Sequence, residues 1–227
     1  MSLMKSLRCS LLCFCGLGSL VSLAAPLSAQ QGGGPTPNLV VVLMTGFNPS
    51  SNPGLAILNA KLQTAFGSLP GFASQVFTFG NLSSAFNFVQ ANGGASAQVV
   101  LVGHSFGAEG TFRLTESFLD PAGIFPALCI PLDLVSQSNP FGLSRPTAPA
   151  AISRVLSYYQ ISTGFFEPGG SRQINGADRN LNAEVLFGDT AITHTSIDCD
   201  ERVHQRIINR IQEVVTPRSS RILGCGC

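Results

Sequence analysis

The chain has 227 residues, of which 13 are basic and 12 acidic, for a formal net charge of +1. So balanced a chain offers no bulk electrostatic attraction for nucleic acid or anionic lipid. With 44% hydrophobic and only 11% charged residues it also lies far from the composition of disordered chains, and it holds ample apolar material for a core.

The first thirty residues read as an export signal rather than as fold. Lys5 and Arg8 form a small basic region, and an uncharged apolar run extends from Leu11 to Ala25. Leu27-Ser28-Ala29 then precedes a cut expected after Ala29, with Ala25 as the nearby alternative. The run is short for a membrane span. A secreted or periplasmic protein with no stable span after processing is therefore expected. Leu12 and Phe14 precede Cys13 and Cys15 where lipidation would need a small residue. The expected organisation is a signal peptide over 1–29, a flexible leader over 30–37 (QQGGGPTP), one domain over 38–216 and a cysteine-containing tail over 217–227.

Asn38 to Met44 (NLVVVLM) is an unbroken aliphatic run, the pattern of a strand buried on both faces of a parallel sheet. Thr45 to Pro49 is a loop. Asn52-Pro53 supplies a cap and a first-turn proline for a helix with Leu55, Leu58, Leu62 and Phe66 at helical spacing. The alternation continues with a strand at 74–79, a helix at 82–91, a strand at 98–102 and a helix at 106–119. Strands follow at 127–132, 154–161 and 183–187 (AEVLF), then an amphipathic helix from about Asp198 to Val215 with Val203, Ile207, Ile211 and Val214 on one face. Six strands alternating with helices predict a three-layer α/β/α fold around a mostly parallel six-stranded sheet. The irregular stretch 162–181 is either a cleft-shaping loop or a plain surface insertion.

Gly103-His104-Ser105-Phe106-Gly107 has the form G-x-S-x-G, directly after the apolar strand VVLV and directly before a helix. Gly and Ser are frequent here, so the pentapeptide decides little by itself; its strand-to-helix setting carries the weight. A serine needs a base to take its proton, and the attacked carbonyl needs hydrogen-bond donors for its oxyanion. There are three histidines. His104 lies within the pentapeptide with its side chain expected to point away from the serine, and His204 falls mid-helix with a structural role. His194 lies in a loop between AEVLF and the final helix.

These residues resemble the α/β-hydrolase superfamily, here in a minimal form without a large lid, since the link from Asp133 to Arg154 is short. In that superfamily the order is serine, acid, histidine, with the histidine after the last strand. The resemblance implies Ser105 as nucleophile, His194 as general base and, as in pancreatic-type lipases with the acid after the sixth strand, Asp133 as acid. Glu167, Asp178, Asp189 and Asp198 are the other carboxylates in range, and Asp198 is better explained as a cap on the last helix. Gln160 stands where an acid would follow the next strand. The backbone N–H groups of Phe106 and Phe47 would form the oxyanion hole, although Thr45-Gly46 stands where lipases carry His-Gly. Phe47 and Phe106, with Phe165 or Phe166, would border an apolar acyl pocket.

The expectation is thus a serine esterase or lipase-like hydrolase acting through an acyl-enzyme on a small-molecule or lipid-like ester, with no cofactor and no metal. Thioesterase, amidase and polyester depolymerase remain open on the same triad, as does a non-catalytic binding protein on a hydrolase scaffold. Processing would leave Cys129, Cys199, Cys225 and Cys227, for which three pairings exist. Cys129 and Cys199 neighbour Asp133 and His194 in sequence, so a disulfide bracing the two loops is expected if those loops meet; otherwise both are ordinary thiols. The Gly224-Cys225-Gly226-Cys227 tail has no second ligand pair at zinc spacing.

Overall fold

The computed structural model describes residues 38–47, 53–136, 145–161 and 173–216. The expected signal peptide, the leader, the tail with Cys225 and Cys227, Phe165, Phe166 and Glu167 lie outside them.

Six strands form one sheet in the order β2-β1-β3-β4-β5-β6, and every pairing is parallel. They are β1 (Leu39–Thr45), β2 (Ala73–Thr78), β3 (Gln98–His104), β4 (Leu128–Leu132), β5 (Leu156–Tyr159) and β6 (Arg179–Asn182). β1 and β4 are buried throughout because helices cover both faces, which is why their sequences are continuous apolar runs rather than alternations. On one face Leu39, Val41 and Leu43 pack against Leu55, Leu58, Leu62 and Phe66 of α1 (Gly54–Phe66) and against Val203, Ile207 and Ile211 of α5 (Glu201–Val215). On the other, Val40, Val42 and Met44 meet Ala85 and Val89 of α2 (Leu82–Ala91) and Ala108 and Phe112 of α3 (Phe106–Leu114). Three layers result.

Three local expectations give way. The run AEVLF is not a strand but the short helix α4 (Ala183–Phe187). Asn182 caps it, accepting from the N–H groups of Glu184 and Val185, and Gly188 in the left-handed region ends it. Val185 is 77% exposed, so the apolar letters do not mark a buried strand. The sixth strand is instead the polar RNLN before it, which pairs with β5 at the sheet edge. Pro53 occupies the cap position of α1 rather than its first turn. Asp200, not Asp198, caps α5 by accepting from the N–H groups of Arg202 and Val203.

No disulfide joins Cys129 and Cys199. Cys129 is buried on β4 against the Thr111 hydroxyl, 3.3 Å away, and burial pushes its thiol up to about 12, which makes it inert. Cys199 is an exposed thiol beside the start of α5. No described helix is long and apolar enough to cross a membrane.

Candidate active site

Parallel strands bring their C-terminal ends to one edge of the sheet, and the strand order reverses between β1 and β3. Such a switch point opens a crevice between neighbouring strand ends. Ser105 sits there, directly after β3 and before α3.

Two glycines make the turn around Ser105 sterically possible. A Cβ on Gly103 would lie 2.5 Å from Ala108 Cα, and one on Gly107 would lie 2.0 Å from the Met44 carbonyl oxygen. The helix can approach β1 and β3 this closely only without side chains at both positions. Ser105 itself has φ 58° and ψ −126°, a region that costs an ordinary residue about 1–3 kcal/mol. Its backbone N–H donates to Leu132 O (3.0 Å), and its carbonyl accepts from Val135 N–H (3.2 Å), which tie the strained turn to the end of β4. Among the described non-glycine residues only one other has positive φ: Asp133, at 42°.

These two residues meet through a third. Ser105 Oγ lies 2.9 Å from His194 Nε2, and His194 Nδ1 lies 2.7 Å from Asp133 Oδ2. Asp133 is fully buried, and the same Oδ2 accepts from Gln160 Nε2 at 2.9 Å. The His194 loop is ordered locally: Thr193 N–H donates to Ser196 Oγ (2.8 Å), and Thr193 O accepts from Ile197 N–H (3.0 Å). Ser105, His194 and Asp133, the three residues singled out in the sequence, are therefore within hydrogen-bond reach in a chain. Of the other carboxylates, Asp178 accepts from Val155 N–H (2.7 Å) and Asp189 pairs with Arg202 (2.7 Å). Neither is bonded to a histidine.

Phe106 is the first residue of α3, so its N–H is among the four that have no acceptor within the helix. On the facing strand end, a Cβ on Gly46 would fall 2.8 Å from Ser105 Cβ and 3.2 Å from its Oγ. The Gly46 backbone thus lies against the serine, and Phe47 follows with its side chain 78% exposed. The Phe106 ring packs on Phe79, which follows β2, with centroids 5.8 Å apart. Phe79 was not singled out in the sequence. Its place one residue past a strand end was the available signal.

Asp198 also departs from expectation, and His104 lies beside it. Rather than capping α5, Asp198 is buried, its Oδ2 3.4 Å from His104 Nδ1. His104 Nε2 in turn lies 2.8 Å from the carbonyl oxygen of His194. Burial pushes the His104 imidazole below the usual histidine range, outweighing the Asp198 carboxylate, which acts the other way. His204 is buried within α5 and donates from Nε2 to the Asp198 carbonyl at 2.5 Å, while its Nδ1 faces Lys61 Nζ at 3.1 Å. Among the described residues no cluster of three or more His, Cys, Asp or Glu could hold a metal ion.

No protein-family profile matches the chain, and no curated protein matches it. Solved structures of several esterases and thioesterases are similar to it at low sequence identity. One is an esterase domain from Rhodothermus marinus, at 14% identity over 80% of this chain and 89% of that one, with a TM-score of 0.48. An acetyl xylan esterase is similar at 12% identity over 79% of this chain and 99% of that one (TM-score 0.45). Human thioesterase 2 is similar at 8% identity over 78% of this chain and 95% of that one (TM-score 0.44).

Proposed function

We propose that the protein is a serine hydrolase that cleaves carboxylic esters through an acyl-enzyme, with Ser105 as nucleophile, His194 as general base and Asp133 as the acid. The observation that carries this reading is the hydrogen-bonded chain from Ser105 Oγ through both nitrogens of His194 to Asp133, with the serine held at positive φ. Ser105 Oγ attacks the ester carbonyl carbon while its proton passes to His194 Nε2. Asp133 accepts from Nδ1–H, which selects the tautomer with a free Nε2 lone pair and stabilises the imidazolium once formed. The oxyanion takes hydrogen bonds from the backbone N–H groups of Phe106 and Phe47. Collapse of the tetrahedral adduct expels the alkoxide, which leaves as the alcohol with the proton from Nε2. Water, deprotonated by His194, then attacks the acyl-enzyme and releases the acid. The half-buried Phe79–Phe106 pair and the exposed Phe47 support an apolar acyl group. Export through the N-terminal segment belongs to the same proposal, and N-terminal sequencing of the protein from culture medium or periplasm should find Gln30 first.

A fluorophosphonate probe tests the nucleophile. The wild type should be labelled stoichiometrically and Ser105→Ala not at all, and a panel of p-nitrophenyl esters of rising chain length should give the acyl preference. An unlabelled wild type beside a reactive control enzyme would sink the proposal.

A further inference from the structure

We propose that His104 is a positioning residue that holds His194 by its backbone, its Nε2–H donating to the His194 carbonyl. This inference rests on reading His194 as the general base. A carbonyl oxygen only accepts, so at 2.8 Å the proton of this hydrogen bond must sit on His104 Nε2. The two residues are 90 positions apart in sequence, so the bond fastens the His194 loop to the end of the central strand β3. Two consecutive residues, His104 at the end of that strand and Ser105 directly after it, thus meet His194 at two places. Ser105 Oγ meets the tip of its ring and His104 meets its main chain. The two imidazoles also lie against each other, with ring centroids 4.9 Å apart and planes tilted by 37°.

What sets His104 is itself held by two helices. Asp198 Oδ2 flanks Nδ1 at 3.4 Å, and the Asp198 carbonyl accepts from His204 of α5. From α1, Gly54 packs so closely that a Cβ there would stand 2.3 Å from the same carbonyl oxygen. Asp198 is therefore clamped between α1 and α5. Asp198, so held, lines one edge of the His104 ring, and His104 in turn holds the backbone of His194. Reaction at Ser105 depends on His194 Nε2 keeping its place to within a fraction of an ångström, and a misplacement of about 1 Å costs on the order of 100-fold in rate.

The test uses the full chain, with p-nitrophenyl butyrate as substrate and active sites counted by fluorophosphonate titration. In His104→Gln the terminal amide N–H stands where the ring Nε2–H was, whereas His104→Asn is too short to reach the carbonyl. The Gln variant should keep kcat per titrated site within about threefold of wild type. The Asn variant should lose about 10- to 100-fold in kcat with KM within about twofold. An Asn variant as active as wild type, or Gln and Asn variants equally impaired, would overturn the proposal. Long-range 1H–15N NMR of the wild type, with histidines labelled and His104 assigned, reads the same point without a variant. The Nε2–H tautomer is expected, and the Nδ1–H tautomer would exclude the bond even if neither variant folds. Failure of the hydrolase reading looks different: the wild type would not be labelled, or Ser105→Ala would remain active.

Discussion

The site holds two histidine–aspartate pairs packed ring to ring, and they differ in what each histidine's second nitrogen faces. His194 bonds Asp133 at 2.7 Å through Nδ1 and turns Nε2 to a serine hydroxyl. His104 stands 3.4 Å from Asp198 through Nδ1 and turns Nε2 to a carbonyl. A hydroxyl can surrender a proton to a ring nitrogen; a carbonyl can only receive a hydrogen bond. On the roles proposed above, the same two side-chain types serve proton transfer in one pair and anchorage in the other. Residue identity alone does not separate these roles.

The largest contrast should come from removing the groups in the first pair. Ser105→Ala and His194→Ala should each lower kcat/KM by about 10⁴-fold or more, far beyond the loss expected at His104, because they remove the proposed nucleophile or its proposed base. Next, the two aspartates can be set against each other under one assay. Asp133→Asn should cost on the order of 10⁴-fold in kcat, since an amide leaves His194 without its charged acceptor. Asp198→Asn should cost less than about 100-fold, and equal losses would abolish the distinction between the pairs. Gly54→Ala reaches only the second pair, by driving a Cβ into the Asp198 carbonyl. It should lower stability by about 1–3 kcal/mol in chemical denaturation and kcat about tenfold, while KM holds.

The smallest effect is in pH. Burial holds both His104 and His204 below their usual value of 6.5. Above that pH both are neutral in the folded and unfolded chains, and their contribution to stability is fully present. As pH falls below 6.5 the unfolded chain binds protons first, so stability is lost progressively down to the folded values. A melting temperature that falls by a few degrees between about pH 7.5 and about pH 5, with a shallower slope in His204→Gln, is expected. An unchanged slope would assign the acid sensitivity elsewhere.

Much of the frame was legible in the sequence. The runs at 38–44 and 98–102 mark strands covered on both faces, and the four apolar positions of α1 mark its buried stripe; all four are at most 1% exposed. The setting of Ser105, together with the chain order of Asp133 and His194, singled out the residues that meet in space, though their roles remain a proposal. AEVLF was misread because five apolar and polar letters fit either period, and the decision falls to Asn182 and Gly188 at its ends. Gln160 was noticed only as a stand-in for a missing acid. Its bond to Asp133 spans 27 residues and has no local signature.

Sequence by itself determined the alternation of elements, the apolar faces and the serine turn, because each is set by neighbours within one helical turn or a few strand residues. Tertiary structure alone decided what His104 and Asp198 contact, that Cys129 and Cys199 stay apart, and that Gln160 bonds Asp133. Those outcomes depend on distances between chain segments tens of residues apart, which the packing of α1 and α5 against the sheet sets and no local pattern encodes.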